Sequence, residues 1–162
     1  MEKDSLPNKK TASACILRKG TREDIPQVLG LIQELALYEK APYEVENTVE
    51  QMLIDGFGEK PIFDFFVAEP SPGKIVGIAL YYFRYSTWKG RRLYLEDLIV
   101  TEQYRGQGLG KMLFEAIIQE AKATRSHGVV WQVLDWNEPA IQFYKRYGAS
   151  FDGEWINCSL KV

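Results

Sequence analysis

The first informative feature of the chain is the spacing of its hydrophobic residues. Apolar side chains recur every three or four positions within residues 25–36 and again within residues 109–121, and this spacing predicts two amphipathic helices. Thr21 has an acid three residues further on, and Thr48 has Gln51 at the same distance. Each threonine is therefore predicted to begin a helix within a capping box, and the helix that Thr48 begins is predicted to stop at the glycines that follow it.

Elsewhere the pattern changes to runs of β-branched and aromatic residues bounded by turn-forming residues, which predicts strands. A last helix is predicted to begin at the cap Asn137 and to end at Gly148. The predicted strands are Cys15–Lys19, Phe63–Glu69, Ile75–Tyr85, Arg91–Val100, Gly128–Leu134 and Glu154–Leu160, with a hairpin turn at Ser71-Pro72-Gly73-Lys74 between the second and the third. The order β-α-α-β-β-β-α-β-α-β indicates an α/β fold with a mixed sheet.

Composition is that of an ordinary globular protein with one domain. The chain has 162 residues, of which 46% are hydrophobic and 26% charged. Residues 1–13 are polar and lysine-bearing, and we expect them to form a disordered tail in front of a single domain at residues 14–162. They lack the apolar core of a signal peptide, and no apolar run approaches the ~20 residues of a membrane span. We therefore expect a cytoplasmic protein with no membrane partner.

Charge and cysteine content argue against two further classes of protein. The net charge is -2, whereas a nucleic-acid-binding domain usually has a basic excess, so we expect no nucleic-acid partner. Cys15 and Cys158 have no C-x-x-C spacing and only His127 to accompany them, so we expect no metal site. His127 stands in a predicted loop and is interpreted as a surface residue rather than a catalyst.

The strongest chemical signal is the glycine-rich loop Arg105–Lys111, between a predicted strand and a predicted helix. Glycines let backbone N–H groups converge on a ligand, and a helix N-terminus adds unpaired donors, so the loop suits a pyrophosphate. It is not a Walker A motif, because Arg105 and Met112 stand where that motif needs Gly and Ser or Thr. It is not the fingerprint G-x-G-x-x-G either, because Lys111 replaces the last glycine. On the glycines alone, a turn that only caps a helix remains an equal alternative.

The pattern R-G-x-G-[LI]-G after a strand matches the acetyl-CoA signature of the GNAT superfamily, and similarity runs from about Arg18 to Trp155. The blocks that extend it are Glu34-Leu35-Ala36, Tyr38-Glu39, Asp55-Gly56-Phe57-Gly58, Tyr81-Tyr82-Phe83, Tyr94-Leu95-Glu96-Asp97, Trp136-Asn137-Glu138-Pro139 and Phe143-Tyr144-Lys145-Arg146. With these blocks the chain resembles the diamine (spermidine/spermine) N-acetyltransferases, including their thialysine-acetylating members. The resemblance implies the GNAT fold with a mostly antiparallel sheet, acetyl-CoA as donor with CoA as product, a small-molecule primary amine as acceptor, and a homodimer.

Acetyl transfer to an amine needs a base. An amine with a pKa near 10.4 lies about 3.4 units from neutral at pH 7, so its deprotonation costs about 4.6 kcal/mol. Glu96 is the candidate, because it interrupts an apolar strand where a carboxylate needs a reason; a structural ion pair or a frayed strand end is the alternative. Strand alternation predicts that Asp97 points to the opposite face. The resemblance implies that Glu96 is the base and that Tyr144, on spacing alone a core aromatic, donates a proton to the departing thiolate.

The resemblance also assigns the binding residues. It implies that strand backbone groups pair with the pantetheine arm, that the glycine loop holds the pyrophosphate, and that an asparagine contacts the cofactor near its thiol. These cofactor residues are Leu98, Ile99, Val100, Arg105, Gly106, Gln107, Gly108, Leu109, Gly110, Lys111 and Asn137. Acids and aromatic faces suit an alkylammonium, and the implied substrate residues are Tyr38, Glu39, Trp88, Glu96, Trp131, Gln132 and Glu154.

One position departs from the diamine enzymes. Ser86 stands two residues before Trp88, where those enzymes carry an acid, and this predicts a preference for short acceptors over spermine. Two other functions stay open, namely acetylation of a protein N-terminus or lysine, and a module that binds acyl-CoA without turnover. The combination of Glu96, Tyr144 and the full glycine loop disfavours the second of these, because a binding module needs no acid–base pair.

Overall fold

The computed structural model describes residues 15–162, so the tail predicted at residues 1–13 lies outside the described part. The chain separates into two compact units, the first ending at Trp131 and the second running from Gln132 to Val162. The elements of the first unit are β1 (Ile16–Lys19), α1 (Ile25–Tyr38), α2 (Val49–Phe57), β2 (Asp64–Glu69), β3 (Gly77–Ser86), β4 (Gly90–Val100), α3 (Leu109–Ala123) and β5 (Val129–Val130). The second unit contains α4 (Glu138–Lys145). The single domain expected from the sequence stays a prediction.

The helix starts differ from the prediction in two details. The box predicted at Thr21 is present, but it begins the short 3₁₀ turn Arg22–Asp24 that leads into α1; the Asp24 carboxylate accepts a hydrogen bond from the Thr21 backbone N–H at 2.8 Å. At the start of α2, Thr48 Oγ1 accepts from the Gln51 N–H at 3.1 Å. The Gln51 side chain, however, donates to Asp55 at 2.9 Å instead of reaching back to the cap. Asp55, one turn further along α2, thus takes the Gln51 side chain that the predicted capping box would have used to bond the cap.

Within the described residues, five strands form one sheet in the order in which they occur along the chain. The pairs β1–β2, β2–β3 and β3–β4 are antiparallel, whereas β5 runs parallel to β4 and pairs only with Leu93 and Tyr94. The predicted turn between β2 and β3 is present, with Gly73 at φ 77° and the Lys74 N–H donating to the Ser71 carbonyl at 3.0 Å. The mixed, mostly antiparallel sheet is therefore confirmed.

Helices cover both faces of the sheet. Alternate residues of β3 point to opposite faces, so neighbouring residues of this strand pack against different helices. On one face α1 and α2 build a core whose buried members are Ile25, Val28, Leu31, Met52, Phe65, Val67, Ile75, Ile78, Leu80 and Ile99. On the other face lies α3, and Tyr81, next to Leu80 in β3, donates from its hydroxyl to Glu120 of α3 at 2.9 Å. Full burial of one large aliphatic side chain contributes about 1.5–3 kcal/mol to the stability of the fold. Packing against helices on both faces therefore stabilises the strands that carry the candidate site.

Two predicted strands are not formed as expected. The strand predicted at 128–134 is reduced to Val129–Val130, and the strand predicted at 154–160 is wrong, since residues 149–162 contain no helix or strand. Residues such as Trp155 and Ile156, which are 77% and 87% exposed, have high β propensity. Propensity alone makes no strand, because a strand is stable only when a neighbour completes its hydrogen-bond ladder.

Candidate active site

The register between β3 and β4 shifts at Glu96. Leu80 lies opposite Asp97, but the next residue, Tyr81, lies opposite Leu95, so Glu96 is an extra residue in β4. This is a β-bulge. Directly opposite residues of two paired strands share a face of the sheet. Asp97 therefore joins the face of Leu80, and Leu95 joins the face of Tyr81.

The bulge brings Glu96 and Asp97 to the same side, so the prediction that they point to opposite faces is wrong. Tyr82 alternates with Leu80 along β3, and burial and the charge of Glu96 raise the pKa of its hydroxyl. The charge of Asp97 interacts with Glu96 and with Glu39, which follows the last residue of α1. Alternation along one strand misses this arrangement because the inserted residue resets the period of two.

Two of the three acids hold protons more tightly than an ordinary carboxyl group does, namely Asp97 and Glu39. Burial raises the pKa of Asp97 to about 7, and repulsion by Glu96 and Glu39 adds to the rise. Burial also raises the pKa of Glu39. For Tyr82, burial and then the charge of Glu96 raise the pKa to about 12. Glu96 itself is exposed. This acidic group, Glu39, Glu96 and Asp97, is suited to attract a cation that approaches Glu96 from solvent.

Aromatic rings line the same face as the acidic group. The rings of Tyr82 and Tyr94, which face each other across β3 and β4, are stacked with centroids 5.2 Å apart. Tyr38, the last residue of α1, is 39% exposed and lies under the Arg105 guanidinium at 5.3 Å from the ring centroid. Negative charge and aromatic faces together are the usual features of an alkylammonium site. The resemblance implied Tyr38 and Glu39 as substrate residues, and the structure adds Asp97, Tyr82 and Tyr94 to this face as candidates that the sequence analysis did not name.

The glycine loop has the backbone that an anion site requires. Gly106 and Gly108 have φ of 73° and 83°, which only glycine adopts without strain, and Gly108 is the N-cap of α3. Gly110 is different, because its φ is not positive and a Cβ built on it would meet no atom within 4 Å. Neither backbone conformation nor neighbouring protein atoms explain a glycine there. The open space beside a helix N-terminus fits a phosphate group.

The start of the loop is held by a residue that sequence reasoning had not assigned a role. Glu34 of α1 accepts hydrogen bonds from Thr101 Oγ1 at 2.8 Å and from the Glu102 N–H at 3.0 Å, and lies 3.5 Å from Arg105. Arg105 also donates from Nε to the Val100 carbonyl at 2.8 Å. Its guanidinium therefore turns back onto the strand end. In this structure Arg105 shapes the loop rather than projecting from it.

The end of β4 has an open edge. Leu95 and the residues after it pair with β3 on one side, whereas β5 pairs only with Leu93 and Tyr94 on the other. Within residues 15–162, no strand pairs with Leu98, Ile99 or Val100 on the β5 side. An open strand edge can take an extended, amide-bearing ligand through main-chain hydrogen bonds.

Two classes of site have no candidate in the described residues. No helix within residues 15–162 combines the length and the apolar surface that crossing a membrane requires. The same residues contain no group of three or more His, Cys, Asp or Glu arranged to hold a metal ion.

Comparison with known proteins decides the family. Residues 30–149 match the acetyltransferase (GNAT) family. The chain belongs to this family. It is 41% identical over 144 residues to a thialysine N-epsilon-acetyltransferase of Sus scrofa, covering 85% of each chain. It is 38% identical over 139 residues to the spermidine/spermine N(1)-acetyltransferase-like protein 1 of Homo sapiens, covering 82% of this chain and 20% of that one.

A solved structure confirms the GNAT fold. An aminoglycoside acetyltransferase from an uncultured soil metagenomic sample matches with a TM-score of 0.75 over 93% of this chain and 97% of that one. At 20% identity this likeness concerns the fold alone. The predicted GNAT membership and the predicted resemblance to thialysine and polyamine acetyltransferases are both confirmed, and GNAT acetyltransferases take the acetyl group from acetyl-CoA.

Two predicted substrate residues of this GNAT chain have no recorded contact with the acidic group within residues 15–162. Trp131 packs edge-on against Phe114 of α3, with ring centroids 5.4 Å apart, and α3 covers the face opposite that of Glu96. Trp88 lies in the turn between β3 and β4 and is 86% exposed. A packed aromatic explains Trp131 without a ligand, so we leave it out of the proposed GNAT site.

The remaining predicted residues belong to the second unit of the GNAT chain. Asn137 caps α4 by accepting from the Ala140 N–H at 3.4 Å, as predicted for its structural role. Tyr144 of α4 is 7% exposed. Gln132 donates to Asn157 at 2.7 Å, and Glu154 lies in the exposed segment after α4.

Proposed function

We propose that this protein is an acetyl-CoA-dependent N-acetyltransferase that acetylates the primary amine of a small molecule, namely a diamine, a polyamine or a lysine-like amino acid. The observation that carries the proposal is the exposed carboxylate of Glu96, which the bulge sets beside two further acids and a pair of tyrosines. Family membership supports acetyl transfer, and the names of the relatives support a small amine as acceptor.

For the cofactor we propose two contacts within the first unit. Backbone N–H groups of residues 106–111 hold the pyrophosphate of acetyl-CoA, since the space beside Gly110 is open. The open edge at Leu98, Ile99 and Val100 pairs with the pantetheine arm. Once bound, acetyl-CoA supplies a thioester whose carbonyl carbon is open to attack by an amine. Asn137 is proposed to contact the cofactor near its thiol, in addition to capping α4.

For the chemistry we propose that Glu96 accepts the proton of the acceptor ammonium, directly or through a water molecule. The acidic group first attracts the cation, and Tyr38, Tyr82 and Tyr94 offer it aromatic faces. The Tyr82 hydroxyl, whose pKa burial and the charge of Glu96 raise, stays protonated beside this carboxylate. Tyr144 is proposed to donate a proton to the departing thiolate. The proposed roles of Trp88, Gln132 and Glu154, the homodimer and the cytoplasmic location stay predictions.

The test is the pH dependence of the rate in Glu96→Gln. We expect acetylation of a diamine or thialysine, followed as CoA release, to fall strongly at pH 7 and much less near pH 10, where the amine loses its proton unaided. The matched control is Glu50→Gln, which changes an exposed acid of α2. A Glu96→Gln profile parallel to that of the wild type would remove Glu96 as the base. Absence of CoA release by the wild type with every amine would overturn the proposed function.

A further inference from the structure

Glu34 of α1 contacts three groups at the start of the glycine loop, and one of them is charged. Its carboxylate accepts from Thr101 Oγ1 at 2.8 Å and from the Glu102 N–H at 3.0 Å, and both donors are neutral. The third group is the Arg105 guanidinium, with Nη2 at 3.5 Å. A glutamine side chain could replace both neutral hydrogen bonds, because its amide accepts and donates, but it could not pair with a cation. Among these three groups, Arg105 is therefore the one that calls for a carboxylate.

Arg105 lies between the loop proposed for the cofactor and a ring proposed for the acceptor. Its Nε donates to the Val100 carbonyl at 2.8 Å, at the end of β4 and directly before residues 106–111 of the glycine loop. Its guanidinium lies over the ring of Tyr38, 5.3 Å from the centroid. Glu34 and Tyr38 are four residues apart in α1 and so lie on the same face of that helix. One helix face thus presents Arg105 with a carboxylate and an aromatic ring.

Arg105 has the chemistry of the molecule that the acceptor site is proposed to bind. Aromatic faces and carboxylates attract a guanidinium by the same forces that attract an alkylammonium. Tyr38 is followed directly by Glu39, a member of the acidic group, whose charge acts on Asp97. An arginine that moved from Glu34 toward these acids would therefore occupy the place of the acceptor.

The hold of Glu34 on Arg105 is weak enough for one substitution to change it. The side chains of Arg105 and Glu34 are 41% and 31% exposed. An ion pair with this exposure favours one position of the guanidinium by about fivefold or less. Thr101 and Glu102 fix both oxygens of the Glu34 carboxylate, so the charge is held in place for Arg105. Without this charge, the guanidinium would be drawn toward the negative charge of the acidic group instead.

We propose that Glu34 is a positioning residue for acceptor binding: it holds Arg105 at the glycine loop and thereby keeps this cation out of the acidic group, where the acceptor ammonium binds. This inference rests on the proposed function, because it concerns the acceptor side of that same site. Arg105 itself serves the loop, which it fastens to the end of β4. Glu34 thus makes an arginine of the cofactor loop compatible with a neighbouring site for a cation.

Glu34→Gln tests the inference, since it removes the charge and keeps groups that can hydrogen-bond to Thr101 and Glu102. At saturating acetyl-CoA, we expect KM for a diamine acceptor to rise about threefold to fivefold, because Arg105 then competes with the acceptor ammonium. KM for acetyl-CoA should change by less than about twofold. A residue that only shapes the loop would give a raised KM for acetyl-CoA with an unchanged acceptor KM, and that result would overturn the inference. Equal rises in both KM values would overturn it as well.

A double substitution shows whether the effect passes through Arg105. In an Arg105→Gln background no competing cation remains, so Glu34→Gln should change the acceptor KM by less than about twofold. Arg105→Gln alone should not raise the acceptor KM, whatever it does to the KM for acetyl-CoA, and this result is decisive even if Glu34→Gln does not fold. A rise of about threefold or more in Arg105→Gln alone, or on adding Glu34→Gln to it, would contradict the inference.

Two matched controls keep the ion pair and change its surroundings. Thr101→Val removes a hydrogen bond from Glu34 but leaves its charge. Glu102→Gln removes an exposed carboxylate just after β4. We expect both variants to keep the wild-type acceptor KM within about twofold. If either raises it as much as Glu34→Gln does, hydrogen bonding or net charge explains the effect rather than the hold on Arg105, and the inference falls.

The wild type separates the inference from the proposed function. Absence of CoA release with every amine would overturn the proposed function, and with it the acceptor site that the inference assumes. Turnover by the wild type together with an unchanged acceptor KM in Glu34→Gln would overturn the inference and leave the proposed function standing.

Discussion

Replacing Asp97 with asparagine tests the acidic group through stability rather than through activity. Burial, with repulsion from Glu96 and Glu39, raises the pKa of Asp97 from 3.8 to about 7 in the folded chain. Between these two values the folded state holds a proton that the unfolded state has released, so the stability of the wild type falls as pH rises. Above pH 7 both states are ionised and the loss is complete. Asparagine has nearly the same shape and never ionises.

The expected size follows from the width of that pH window. From pH 5 to the folded-state pKa of about 7 is two units, and each unit is worth about 1.4 kcal/mol. The stability of Asp97→Asn relative to the wild type should therefore rise by about 3 kcal/mol between pH 5 and pH 8. The direction is unusual, because most substitutions in a packed site destabilise.

Urea unfolding followed by tryptophan fluorescence at pH 5, 6, 7 and 8 measures this difference. Asp24→Asn is the control, because the surroundings of Asp24 lower the pKa of its carboxyl group instead of raising it. Arg18 donates to the Asp24 carboxylate at 2.7 Å and lowers its pKa, so Asp24 is ionised in both states throughout this range. Its substitution should destabilise by a constant amount. If the difference in unfolding free energy between Asp97→Asn and the wild type is constant from pH 5 to pH 8, the pKa of Asp97 is not raised in the folded chain and the reasoning is refuted.

Three further predictions concern the cofactor, the proton donor and the acceptor. Gly110→Val should fold normally but lose most of its affinity for CoA, measured by calorimetry. Gly30→Val changes another glycine with open space around it and should keep that affinity. Equal CoA affinities of the two variants would mean that the loop does not contact the cofactor at Gly110. Tyr144→Phe should lower turnover by a factor of about 10²–10⁴ with CoA affinity retained, and unchanged turnover would leave Tyr144 a structural residue. Because Ser86 replaces an acid, kcat/KM should be higher for thialysine or a short diamine than for spermine; a tenfold advantage of spermine, about 1.4 kcal/mol, would contradict this.

Sequence patterns over a few residues predicted the elements that depend only on neighbouring residues. The cap at Thr21, the turn at Gly73 and the apolar spacing of α3 each depend on residues within a few positions, and each is present. The predicted last strand failed for the opposite reason. Residues 154–160 have the right side chains for a strand, but a ladder partner is supplied by the rest of the fold, and no sequence window shows whether it exists.

The candidate site could be proposed from the sequence where it depends on residue type, and not where it depends on the register of the strands. An acid inside an apolar strand singled out Glu96, and three glycines singled out the loop. The neighbours of Glu96 depend instead on the bulge, because an inserted residue is visible only once β3 and β4 are paired.

Without the bulge, Asp97 would follow Leu95 onto the face that α3 covers, and Glu96 would stand alone beside the tyrosines. With it, Asp97 joins Glu96, and Ile99 enters the core under α1. One inserted residue therefore both completes the core and adds a second carboxylate to the site. The core gains from this arrangement, but the half-buried Asp97 carboxylate is destabilising above pH 4, and nothing in the packing requires an acid at this position. An acid retained at such a cost is what a site that must hold a cation and receive its proton would require.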